Sequence, residues 1–131
     1  MKENNAATIW PFLTVSNGKN AVSFYLSAFG AVETKRYEKP DGRLMSQINI
    51  EGAAFWIGDE EPEFGNVSPS PGPNCSVRII LKTKNADALF EKALQLGAIQ
   101  ICPMTTEEFW RIGKLKDPFG HVWEIGYVLN D

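Results

Sequence analysis

The chain has 131 residues, 44% hydrophobic and 22% charged, with a formal net charge of −3; that is one globular domain's worth, and it excludes a wholly disordered chain. The acidic balance, and the lack of any basic cluster beyond the scattered GKLKD (113–117), argue against a nucleic-acid partner. No apolar run approaches the roughly 18 residues of a membrane span and MKENNAATIW lacks a signal peptide's apolar core, so a soluble cytoplasmic protein without membrane partners is expected.

In chain order, TIWPFLTV (8–15) is rich in β-branched and aromatic residues and reads as a strand. SNGKN follows as a turn with cap residues. AVSFYLSAFG (21–30) has helical spacing, with Val22, Tyr25, Leu26 and Phe29 on one face and Gly30 placed to end it. AVETKRYEK (31–39) is a strand, PDG (40–42) a turn, and RLMSQINI (43–50) an alternating strand. EG then makes a hairpin into AAFWIGD. The stretch 60–74 is dense in Pro, Gly, Ser and acids and reads as a linker. Its acidic start, GDEEPEF (58–64), is either a solvated loop or a lid over a cavity. After it come a strand (75–83), a helix (85–97) between Asn85 and Gly97, the strand AIQICPM, a loop TTEEF, and two last strands, WRIGKLKD and GHVWEIGYV. Cys75 and Cys102 are too few for a disulfide scaffold and are expected as buried thiols.

The order β-α-β-β-β thus occurs twice. Gly30-Ala31 falls on Gly97-Ala98 at an offset of 67, and EGAAFWI on FGHVWEI at an offset of 68. The expectation is a single α+β domain over 1–131, with module one at 8–59, a linker at 60–74 and module two at 75–128. Two such modules form an open, mostly antiparallel, barrel-like sheet around a cavity.

Side chains alternate along a strand, so the more uniformly apolar face of each belongs under a helix. That puts Trp10, Phe12, Trp56, Arg78 and Glu124 on the concave side, together with Met45, Gln47 and Asn49, and puts Trp123 in the core. His121 and Glu124 are three apart and point to opposite faces, so they make a poor shared metal site. His121 is expected at a strand start, satisfied by backbone or water.

PFLTV…AVSFYLSAFGA resembles the first strand and helix of the vicinal oxygen chelate superfamily, the group of glyoxalases, bleomycin-resistance proteins and extradiol dioxygenases. EFWRIGKLKDPFGHVWEI (108–125) resembles the closing signature of its PhnB-like branch. The resemblance implies two βαβββ modules around a cavity, in a homodimer. It also implies a divalent metal held at one position on the first and last strand of each module. Those positions fall here on Trp10, Trp56, Arg78 and Glu124, of which only Glu124 is a ligand type. No metal and no cofactor are therefore expected. The resemblance further sets Trp110 near the pocket mouth, where the alternative is a packed strand aromatic.

Without a metal the cleft is a pocket. Trp10, Phe12 and Trp56 offer flat apolar surface, Arg78 a fixed charge, and Gln47 a neutral hydrogen bond. The expected ligand is a small, planar, anionic organic molecule. The alternative is an enzyme of the same superfamily, lyase- or dioxygenase-like, with Glu124 as acid or base. A third reading of two of these residues is purely structural: Arg78 and Glu124 pair with each other.

Overall fold

The computed structural model describes residues 6–72 and 75–130. The ends of the chain and the last two linker residues, Pro73 and Asn74, lie outside the described residues. The elements are β1 (Phe12–Val15), α1 (Gly18–Phe29), β2 (Val32–Glu38), β3 (Leu44–Ile50) and β4 (Ala53–Asp59), then β5 (Arg78–Lys82), α2 (Ala86–Gln95), β6 (Ile99–Thr106), β7 (Trp110–Lys116) and β8 (Val122–Val128). The connector between the halves holds one short 3-10 turn, Pro62–Phe64. Two four-stranded sheets result, ordered β1-β4-β3-β2 and β5-β8-β7-β6. In each, the first strand runs parallel to the last and the other pairs are antiparallel. This is the expected α+β class with two βαβββ modules, and the two sheets do not close into a barrel.

The repeat extends to register. Phe12 pairs with Trp56; a shift of 68 turns these into Ile80 and Glu124, which also pair. On β3, Leu44, Ser46, Ile48 and Ile50 are buried while the residues between them are half-covered, as strict alternation requires.

Helix α1 begins three residues before the apolar period does. Asn17 caps it by accepting from the Asn20 N–H at 3.0 Å. Asp59, at the end of β4, accepts from the backbone N–H groups of Gly18 at 2.6 Å and Leu44 at 2.9 Å. A Cβ on Gly18 would stand 2.7 Å from that carboxylate, so only glycine admits the contact. Gly30 ends the helix with φ 62°. The buried face is wider than expected, since Ala21, Phe24 and Ala28 join Val22, Tyr25 and Phe29, while Leu26 is only half-buried.

Four expectations need correction. β1 starts at Phe12 rather than residue 8, although the Pro11 carbonyl still accepts from the Trp56 N–H at 2.9 Å. β5 starts at Arg78, not 75. Thr105 and Thr106 belong to β6 instead of a loop, paired with Ile112 and Arg111. Cys75 and Cys102 are exposed, not buried. Cys75 lies in the connector, and Cys102 sits on β6, the outer edge of its sheet, where nearly every side chain meets solvent.

The modules meet through their helix-bearing faces. Tyr25 and Phe29 of α1 touch Trp123 of β8 at ring-centroid distances of 5.8 and 4.9 Å. Phe55 of β4 touches Trp123 at 5.4 Å. Asp117, 3% exposed, ties this core together. It accepts from the Tyr25 hydroxyl at 2.5 Å, the Trp123 indole N–H at 2.9 Å, and the backbone N–H groups of Phe119 and His121. His121 Nε2 lies 2.7 Å from the Thr14 carbonyl oxygen on β1, so backbone satisfies it as expected. At the other end, Glu51 accepts from Thr83 Oγ1 and Asn85 Nδ2 at the start of α2.

This contact has a geometric consequence. Phe55 and Trp123 face each other across the core, and their chain neighbours Trp56 and Glu124 point the opposite way from each sheet. Within one chain the two outer faces are turned apart. Trp10, Phe12 and Ile80 on those faces accordingly remain 51%, 50% and 58% exposed.

Candidate functional site

On the first sheet, Trp56 is 9% exposed. Trp10 meets it edge-on at 6.0 Å, and Tyr37 stacks on it at 6.3 Å with an interplanar angle of 15°. The aromatic surface presented to a ligand is therefore Trp10, Phe12 and Tyr37, with Trp56 as the support beneath. Tyr37 was not among the expected residues. The strand alternation fails there because the β2–β3 register slips between Glu33 and Lys35, so parity counted from Val32 gives the wrong face. Gln47 lies opposite Trp56, but its Oε1 accepts from Thr34 Oγ1 at 2.9 Å, and Asn49 uses its oxygen on the Gly52 N–H at 2.7 Å. A hollow of about 80 Å³ adjoins, lined by Phe12, Met45, Gly58, Lys39 and Arg43 among others. Its charges are already paired, Lys39 with Glu61 and Arg43 with Asp41 and Glu63.

On the second sheet, Arg78 Nε lies 2.6 Å from Glu124 Oε2, so the pair expected as one alternative is formed. Lys114 of β7, opposite Glu124 in register, brings its Nζ to 4.0 Å from the same oxygen. Two cations thus share one carboxylate. The Arg78 side chain is 57% exposed and that of Glu124 16%. Lys114 was missed because no faces were assigned to its strand; its offset from Gln47 by 67, the repeat's own step, was the available signal. Trp110 is half-buried beside Ile80, Ile112 and Gly126 around a second hollow of about 100 Å³.

The expected residues therefore form two clusters on different sheets, Trp10–Phe12–Trp56–Gln47 and Arg78–Glu124 with Trp110 nearby. The resemblance in sequence assigned four positions to a metal, Trp10, Trp56, Arg78 and Glu124. Two are indoles, one is a guanidinium, and the single carboxylate is engaged by cations. Among the described residues, no group of three His, Cys, Asp or Glu is placed to hold an ion. No described helix is long and apolar enough to cross a membrane.

The two βαβββ modules define a class by fold, one that the chain shares with glyoxalase/bleomycin resistance/dioxygenase-like proteins. Its architecture matches TioX from Micromonospora sp. ML1 with a TM-score of 0.72, at 20% identity over 95% of this chain and 100% of that one. It also matches a glyoxalase/bleomycin resistance protein/dioxygenase family enzyme from Burkholderia phytofirmans with a TM-score of 0.67, at 19% identity over 92% and 97% of the two chains. The fosfomycin resistance protein FosX from Listeria monocytogenes matches with a TM-score of 0.69, at 16% identity over 91% of each chain. No family model matches the sequence. More particularly, the chain belongs to one family with the uncharacterised protein Mb0911c of Mycobacterium bovis, to which it is 33% identical over all of this chain and 90% of that protein. The uncharacterised Arabidopsis thaliana protein At5g48480 is 34% identical over 79% of this chain and 68% of its own length.

Proposed function

We propose that this protein binds a small planar organic anion in a cavity made by two copies of the chain, the first-module face of one copy closing over the second-module face of the other. The observation that carries this is the division of the site. One open face holds aromatic surface (Trp10, Phe12, Tyr37), and the other holds two cations against a single carboxylate. Neither face alone encloses a ligand, and small-molecule sites are concave. The apolar side chains left in solvent around both faces, among them Val77 at 66% and Ile80 at 58% exposure, supply contact area for a homodimer.

The guanidinium engaging Glu124 favours this binding role over one in which Glu124 moves protons. FosX has been crystallised with Mn(II); in this chain the donor set described above argues against the same use of the fold. We place the chain in the PhnB-like branch on its closing stretch, 108–125. The free Cys75 and Cys102 support a reducing, cytoplasmic location.

The test is intrinsic tryptophan fluorescence titrated with aromatic carboxylates and phosphonates. Saturable quenching is expected, and Arg78→Ala is expected to weaken it by about tenfold or more, the worth of one hydrogen bond to a charged group. Quenching by no member of the panel, or equal affinity in Arg78→Ala, would refute the proposal.

A further inference from the structure

We infer that the hollow beside Trp110 is a subsite for a short apolar tail, so that the ligand is an amphipathic monoanion with its charged group at Arg78 and Lys114 and its apolar end against Gly126. The inference rests on the anion-binding reading above and goes further in naming what the far end of the ligand must be.

Three observations carry it. The first is the contrast between the two halves of the repeat. The hollows occupy equivalent places: Phe12, Met45 and Gly58 in the first module match Ile80, Ile112 and Gly126 in the second. The first hollow is ringed by paired charges. In the second, Trp110 stands where Arg43 stands in the first, and Ile80, Ile112 and Val128 leave it mostly apolar, with Lys82 and Tyr127 completing the wall. The same scaffold position has thus become greasy in one half only.

The second is spacing. Gly126 lies two residues beyond Glu124 on β8, and Ile80 two residues beyond Arg78 on β5. At the rise of a strand, this sets the cations about 7 Å from the hollow, roughly the length of a benzene ring with its substituents. The third is size. About 100 Å³ equals roughly three water volumes, room for a chain of about three carbons. Charge balance sets the sign of the other end, because among the described residues Arg78 and Lys114 share the single carboxylate of Glu124.

The experiment is calorimetric titration of the full chain with benzoate and its 4-methyl, 4-ethyl, 4-propyl, 4-butyl and 4-hexyl derivatives. Each added carbon is expected to tighten binding about fourfold, the worth of one buried methylene, until the hollow is full near 4-propyl, with no gain beyond. Ile80→Trp fills the hollow from a position that is 58% exposed, where the fold tolerates it, and circular dichroism melting confirms that it folds. It is expected to bring the benzoate-to-propylbenzoate affinity ratio close to one. Trp110→Ala enlarges the space and is expected to move the break to a longer chain. Benzoate binding with an affinity that is flat along the series, or the same slope in Ile80→Trp as in the wild type, overturns the tail subsite while leaving the anion site standing. No binding by any member, benzoate included, overturns both.

Discussion

Burying a carboxylate is costly unless its oxygens are fully hydrogen-bonded, and Asp117 meets that condition with four donors at 3% exposure. Two of those donors, Phe119 and His121, come from the turn that Asp117 itself begins. The other two, Tyr25 and Trp123, come from the two modules. Tyr25→Phe deletes one donor and is expected to cost about 1–3 kcal/mol in urea unfolding. Asp117→Ala strips the partner from all four, and on the order of 3 kcal/mol or more is expected from the same measurement. Tyr25 adds a dependence on pH. Burial, and then the neighbouring Asp117 charge, hold its phenol well above the usual tyrosine range. The folded protein keeps a proton that the unfolded chain releases near pH 10, so this contribution is complete below about pH 10 and is lost as pH rises further. The stability gap between wild type and Tyr25→Phe should therefore hold steady up to about pH 10 and narrow above it; a gap still constant at about pH 11 would show that Tyr25 has no such linkage. None of this was legible in DPFG, which reads as a turn joining two strands. The four-donor arrangement exists only once a helix about 90 residues earlier in the chain is in place.

Among the elements, the hairpin between β3 and β4 was readable from the dipeptide Glu51-Gly52, and it takes positive φ at both residues, 51° and 97°. A glutamate in that conformation is strained by about 1 kcal/mol. Its carboxylate reaches Thr83 and Asn85, where it fixes the approach to α2. Asn85 marks the helix start as its residue type suggests, yet its side chain makes no cap bond and turns to Glu51 instead. A double-mutant cycle between Glu51→Ala and Thr83→Ala, read by urea denaturation, is expected to give a coupling of about 1 kcal/mol. A coupling indistinguishable from zero would make the contact incidental. Alternation and helical period sufficed for most elements because each strand has one face under a helix. They failed at β6, where Pro103 and the polar pair Thr105–Thr106 are tolerated on an edge with no partner beyond it. No face was assigned to 31–39, and the bulge there resets the parity, so a count from Val32 turns Tyr37 the wrong way.

At the scale of the molecule, Arg78–Glu124 does meet, as one expected alternative held, while the aromatic residues expected beside it stand on the other sheet. Which module faces which was not written in any strand, because periodicity says only that a face is apolar and not whose face covers it. The back-to-back contact through Phe55, Tyr25 and Trp123 decides it. Shared sites between copies make a specific prediction. Trp10→Ala protein mixed with Arg78→Ala protein should regain about a quarter of the wild-type sites after subunit exchange, because each mixed pair of a two-fold dimer carries one undamaged site. Fluorescence titration of the mixture checks this, and a site confined to one chain would regain nothing.

The imidazole of His121 has a role that binding does not use. Strand β1 is only four residues long and forms one edge of its sheet. An unpaired ladder there is a template on which foreign strands can grow. By occupying the Thr14 carbonyl, the ring removes an acceptor such growth requires. His121→Ala is accordingly expected to form light-scattering aggregates sooner than the wild type on prolonged incubation at high concentration.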